Sequence, residues 1–150
     1  MVFFDIISVM KLLAVDGNSI INRAFFGVRS LGTKNGQPTN AIYGLLSMLN
    51  KYIDDVKPDA VAFAFDLKEP TFRHKMYSEY KAGRHAMPDE LFCQLEPAKE
   101  IISALGYPII TCAGYEADDI LGTISKLCEE NKWECVLATG DRDSFQLITD

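Results

Sequence analysis

Apolar residues along this chain fall into two alternating textures. Short unbroken runs lead into acids: Lys11 to Val15 into Asp16-Gly17, Ala60 to Phe65 into Asp66, Tyr107 to Thr111 toward Glu116, and Cys135 to Thr139 toward Asp141 and Asp143. Longer stretches between them carry apolar residues at helical spacing. These are Ile20, Ile21, Ala24 and Phe25; Ile42, Leu45, Leu46 and Leu49; Leu91, Leu95, Ala98, Ile102 and Leu105; and Ile120, Leu121, Ile124, Leu127 and Cys128. The runs predict buried strands and the periodic stretches predict amphipathic helices. Asn18 or Ser19 is placed to cap the first helix, and Thr39 the second. Pro88-Asp89-Glu90 opens the third, with Gly106 as its stop, and Asn131 ends the fourth. Gly32 to Pro38 reads as a loop, and Ser144 to Leu147 begins a last helical turn.

Strands alternating with helices at this length predict an α/β fold with a mostly parallel central sheet. The strand runs lack polar–apolar alternation, as strands covered on both faces do. At 150 residues, 48% hydrophobic and 24% charged, the chain is expected to form one globular domain. Sites on such sheets form beyond the carboxyl ends of the strands. Asp16, Asp66, Glu116, Asp118, Asp119, Asp141 and Asp143 are therefore expected on one edge, seven acids from four elements. A lone strand-end Asp is ordinarily a turn or cap residue, and acids in a first helical turn offset the helix dipole. That explanation suffices for Gly114-Tyr115-Glu116-Ala117-Asp118-Asp119 alone, but not for four such positions in succession. Carboxylates gathered so closely repel unless a cation lies between them. An all-oxygen set suits Mg²⁺ or Mn²⁺. Zinc fits poorly, because the only histidines are His74 and His85 and the four cysteines show no metal spacing. Two such ions about 3.5–4 Å apart suit in-line attack on a phosphodiester.

Charge changes the picture further. The net charge of −6 argues at first against nucleic acid, but it is unevenly spread. Residues 67–85 hold five basic against two acidic residues, a net +3, leaving −9 elsewhere. Leu67 to Met87 has no clean period. Within it Arg73, Lys75, Lys81 and Arg84 are suited to phosphate, and Phe72, Tyr77 and Tyr80 to stacking on single-stranded bases. A solvated loop with aromatic anchors is the other explanation. An irregular insertion of this length in a compact domain is uncommon unless functional. Arg23, just beyond Asp16, is either a phosphate contact or an exposed helical residue. The unpaired cysteines fit a cytoplasmic protein, and no apolar run reaches membrane-spanning length. Residues 1–9 are apolar with Asp5 and no basic start. They are expected to be an extension ahead of the natural-looking start Met10-Lys11-Leu12-Leu13.

Taken in order, Val15-Asp16-Gly17-Asn18-Ser19, Arg23-Ala24-Phe25-Phe26, Phe65-Asp66, Phe72-Arg73-His74 with Tyr77, Tyr80-Lys81-Ala82-Gly83-Arg84, Gly114 to Asp119, and Thr139-Gly140-Asp141-Arg142-Asp143 form a set. From about Met10 to Asp150 the chain resembles the 5′ nuclease domain of the bacterial DNA polymerase I family and its stand-alone flap endonuclease relatives. The resemblance implies a PIN-like fold with a basic helical-arch insertion. It implies Mg²⁺-dependent hydrolysis of DNA at 5′ ends and 5′ flaps, and of RNA primers paired to DNA, in replication and repair. In that light Asp16, Asp66, Glu116, Asp118, Asp119, Asp141 and Asp143 match metal-site acids, with Asp16, Asp66 and Asp118 also counted as catalytic. Lys81 and Arg84 match catalytic arch residues that engage the scissile phosphate. Arg23, Arg73, Lys75, Tyr77 and Tyr80 match DNA contacts.

Two departures stand out. Asn22 occupies a position where relatives often carry Tyr, and neither the Gly-Asp…Ser-Asp-Asn stretch nor the helix–three-turn–helix motif to which the family continues is present in these 150 residues. Residues 1–150 alone are therefore expected to cleave weakly or not at all, as a monomer; the resemblance makes a C-terminal polymerase one candidate continuation of the full-length protein, which these residues leave open. Rival readings are a PIN-type ribonuclease, a phosphate-accepting receiver domain, and a non-catalytic DNA-binding fragment.

Overall fold

The computed structural model describes residues 9–77, 79 and 86–149. In chain order the elements are β1 (Lys11–Asp16), α1 (Gly17–Gly27), α2 (Asn40–Val56), β2 (Ala60–Ala64), α3 (Phe72–Met76), α4 (Asp89–Ala104), β3 (Ile109–Ile110), α5 (Ala117–Glu130), β4 (Glu134–Ala138) and a 3-10 turn (Arg142–Leu147). The strands form one sheet in the order β3-β2-β1-β4, and every pairing is parallel. All four carboxyl ends therefore face the same edge. Among the described residues no helix is long and apolar enough to cross a membrane.

The two faces of the sheet are unlike, and side-chain size decides which helices each face takes. Successive strand residues point to opposite faces. Leu13 and Val15 of β1, with Phe63 and Phe65, pack against α1, α2 and α4. Ala14 and Ala64 point the other way, onto Ala117, Ile120 and Leu121 of α5. Alanines on that side let the start of α5, which carries the acidic cluster, lie close to the sheet. Close approach also governs the turn after β1. A Cβ on Gly17 would stand 2.3 Å from the Phe65 ring, so Phe65 can pack directly on the backbone beside Asp16 only because residue 17 is glycine.

Several expected details change. Asp16 itself caps α1, accepting from the Ser19 amide at 2.9 Å, in place of Asn18 or Ser19. Thr39 holds the N-cap position of α2 but makes no side-chain cap bond. That work falls to Gln94 of α4, which is 1% exposed. Its Oε1 accepts from the amides of Ala41 and Ile42 at 2.8 and 3.2 Å, and its Nε2 donates to Asn40 Oδ1 at 3.0 Å. Asn40 Nδ2 in turn donates to the Phe25 carbonyl at the end of α1. One buried amide pair thus ties three helices together.

Leu105 and Leu127, both expected to face inward, are exposed. Leu105 lies past the last turn of α4, beside Gly106 at φ 86°. On α5 the buried stripe runs from Leu121 to Cys128, and Leu127 sits about 100° around the helix from Cys128. The third strand is only two residues long, against the expected Tyr107 to Thr111. Within the segment that lacked a clean period, Phe72–Met76 forms the short helix α3.

Candidate active site

Each strand end delivers its acid through local hydrogen bonds that also lace neighbouring ends together. Asp16 accepts from the Ser19 amide with one oxygen and from the Thr139 hydroxyl with the other, at 3.1 Å, joining β1 to the end of β4. Ser19 Oγ accepts from the Gly140 amide at 2.8 Å. Asn18 Oδ1 accepts from the Asp66 amide at 3.0 Å, and Asp66 Oδ1 accepts from the Ala117 amide at 2.6 Å, joining β2 to the start of α5. Asp141 caps the 3-10 turn by accepting from the Asp143 amide at 2.9 Å. Backbone amides at helix starts favour the ionised acids they touch. Capping and clustering are therefore the same arrangement here, not competing explanations.

Six of the seven acids, Asp16, Asp66, Glu116, Asp118, Asp141 and Asp143, line a single open pocket of about 550 Å³, together with Asn18, Ser19 and Asn22. Asp16 and Glu116 are buried at its floor, while Asp118, Asp141 and Asp143 are open to solvent. Burial raises the Asp16 pKa. The Ser19 and Thr139 hydrogen bonds oppose that rise, and the charges of Asp66 and Asp141 add to it. Partial withdrawal from water, then the charges of Asp16, Asp141, Asp66 and Glu116, lift Asp118 to about 6. Carboxylates from four elements thus feel one another across the pocket.

The donors are all oxygen, and they fit a hard divalent cation. Among the described residues no three acidic, His or Cys side chains form a ready-made ion cage. The acids instead ring a pocket with room for a cation that keeps part of its water, as Mg²⁺ does.

Asp119 stands apart from this pocket. Arg73 of α3 grips it with both guanidinium arms, at 2.7 Å each, and also lies 3.7 Å from Glu116. Asp119 Oδ2 accepts from the Glu116 amide at 3.0 Å as well. Phe72 packs on Tyr115 at 5.5 Å between ring centres and lies beneath the Arg73 guanidinium, and its amide donates to the Gly114 carbonyl at 2.9 Å. Next to it, the buried Thr71 bonds His74 Nδ1 through its amide and its hydroxyl. Helix α3 is thereby latched to the start of α5. Replacing Arg73 by Ala is expected to cost about 1.5–3 kcal/mol of stability, the range for hydrogen bonds to charged groups. Arg73→Lys should recover only part, since an ammonium cannot reproduce the planar fork. Urea denaturation of Arg73→Ala, Asp119→Asn and the double variant is expected to give a double change well short of the sum.

The other expected contacts divide. Lys75, Tyr77 and Arg23 are exposed, Lys75 and Tyr77 at the end of α3 and Arg23 on α1. Tyr80, Lys81 and Arg84 lie outside the described residues, as does most of the expected extension at residues 1–9. Asn18, Ser19 and Thr139 were absent from the sequence-based candidates. Their common signal is a short polar side chain within three residues of a strand-end acid.

With this geometry in hand, the chain can be set beside known proteins. The family model for the 5′-3′ exonuclease N-terminal resolvase-like domain matches residues 11–150. DNA polymerase I of Caldicellulosiruptor bescii is 47% identical over 139 residues, covering 93% of this chain and 16% of the relative. DNA polymerase I of Bacillus subtilis is 42% identical over 140 residues, with the same coverage. The chain spans about a sixth of the length of these curated relatives. Among solved structures, bacteriophage T5 5′-exonuclease with bound divalent metal ions (zinc) superposes at a TM-score of 0.72, with 22% identity over 93% of this chain and 52% of that one. A bacteriophage T5 flap endonuclease in a pseudo-enzyme-product complex with DNA and metal ions gives a TM-score of 0.71, with 22% identity and the same coverage. At that identity the likeness is one of fold, and it agrees with the expected PIN-like 5′ nuclease architecture. A family match over almost the whole chain, on a parallel sheet whose strand ends carry the acids, leads to one assignment: the chain belongs to the 5′-3′ exonuclease N-terminal resolvase-like domain family.

Proposed function

We propose that this domain hydrolyses phosphodiester bonds of DNA at 5′ ends and 5′ flaps, using Mg²⁺ or Mn²⁺ held by the strand-end acids. The observation that carries the proposal is the gathering of six acids from four elements around one pocket. Family membership and the DNA polymerase I relatives support the same reading. Asp16, Asp66, Glu116 and Asp118 would hold one ion, in part through its water shell, and Asp141 with Asp143 would contribute to holding a second. The chemistry such ions would supply, when bound, is a lowered pKa for an attacking water and neutralisation of charge developing on the phosphate. Asp16 and Asp66 keep fixed orientations because the Ser19, Thr139 and Ala117 groups hold them. Asp119, gripped by Arg73, acts on the pocket through its bond to the Glu116 amide. Lys81 and Arg84 engage the scissile phosphate. Arg23, Lys75, Tyr77 and Tyr80 contact the strand. The polymerase that names the relatives is the partner proposed to share the polypeptide, and the site of action is the cytoplasm.

The test is release of labelled product from a 5′-flap duplex in Mg²⁺, measured on this chain and on the polypeptide extended past Asp150. Cleavage is expected to stop on EDTA treatment, to return with excess Mg²⁺, and to be lost in Asp16→Asn. Cleavage that persists in EDTA, or is confined to RNA, would overturn the proposal.

A further inference from the structure

Asp66 has a second neighbour besides the acidic pocket. On its far side a recess of about 470 Å³ opens between the end of β2 and the outer face of α4. Asn18, Asp66 and Met87 border both spaces, so the recess is continuous with the candidate active site. Its walls are mostly carbon, and Phe92 is their largest exposed part.

Packing does not explain Phe92. The buried stripe of α4 runs through Leu91, Gln94, Ala98 and Ile102, and Phe92 lies off it, 49% exposed. Met87 and Leu67 beside it are each 38% exposed. Exposed apolar surface gathered at one place marks a binding surface more often than isolated residues do. Two ammonium groups rim this one. Lys68 Nζ rests 4.6 Å from the centre of the Phe92 ring, and Lys99 Nζ lies 5.3 Å from that of Phe65 while pairing with Glu96 at 3.1 Å. Apolar walls with an aromatic face and a cationic rim complement a flat apolar ring system carrying an anionic group. The recess falls within the volume range of sites for single small molecules.

Resting on the nuclease reading above, we infer that this recess receives one unpaired DNA nucleotide next to the phosphate held at the acidic pocket. The base lies on Phe92, and Lys68 contacts the phosphate. A cation on an exposed ring is weakly held, so Lys68 can swing from Phe92 to a phosphate and uncover the ring for stacking.

The test uses short single-stranded oligodeoxynucleotides bound to the purified chain in Ca²⁺, with affinity read by fluorescence anisotropy. Phe92→Ala is expected to weaken binding roughly 5- to 150-fold, the worth of one base–aromatic stack. Lys68→Ala should flatten the salt dependence of log affinity by about 0.7, the loss of one phosphate contact to a single strand. An oligonucleotide carrying 5-iododeoxyuridine should photocrosslink to Phe92. Both side chains are exposed, and circular dichroism confirms that the variants fold. Unchanged affinity in both variants, with crosslinks elsewhere, overturns the recess and leaves the nuclease reading standing. No binding by the unaltered chain or by the extended polypeptide overturns both.

Discussion

Replacing Asp118 by Asn is expected to reduce flap cleavage by about 100-fold or more, because it removes a charge that holds the cation. The same change is expected to stabilise the metal-free protein. Burial, then the neighbouring acids, lift Asp118 to about 6 in the fold, against an ordinary value of 3.8. The folded state therefore holds the proton more tightly than the unfolded state between these values. Wild-type stability from this group is full below about pH 4, falls as pH rises toward 6, and stays low above. Asparagine is neutral throughout, so the gap between the variant and wild-type melting temperatures should open between pH 4 and 6 and then remain constant. Added Mg²⁺ should close or reverse the gap at pH 8, since only the intact acid set gains the full binding energy. Thermal melts across pH, with EDTA and with Mg²⁺, check this. A variant less stable than wild type at pH 8 in EDTA would show that Asp118 serves the fold rather than the ion.

Replacing Gln94 by Leu is expected to cost about 3–5 kcal/mol, a large share of the stability of a domain this size. Leucine nearly matches the volume but strands the Ala41 and Ile42 amides and Asn40 Oδ1 without water. Gln94→Glu should cost less, since a carboxylate can still accept from the two amides and lies at the positive end of α2. Chemical denaturation separates the two: equal losses would mean that the Nε2 donations to Asn40 and to the Glu90 carbonyl, not the cap on α2, are what matter.

The parallel architecture was legible because each of the four apolar runs is separated from the next by at least one periodic stretch. The strand-end acids were legible because a parallel sheet puts every carboxyl end on one edge. What escaped notice depends on long-range pairing. Gln94 sits within an apolar stripe, and its partners, the amides of α2, lie more than fifty positions earlier. Arg73 reads as a phosphate contact until Asp119, 46 positions on, is found in its grip. The alternation of Phe63 and Phe65 with Ala62 and Ala64 was visible all along. It is an alternation of size rather than polarity, and it decides which face α5 can approach.

The middle position of β1 has a consequence for how the molecule comes into being. Its partner β4 is made last, and the Thr139–Asp16 bond spans 123 residues. At synthesis rates of roughly 5–20 residues per second, one edge of β1 waits on the order of 6–25 s for its mate. During that wait Asp141 and Asp143 do not yet exist, so Asp16 and Asp66 can meet only the acids at the start of α5. The repulsion that Asp141 adds to Asp16 and Asp118 therefore arises only once β4 has paired with β1.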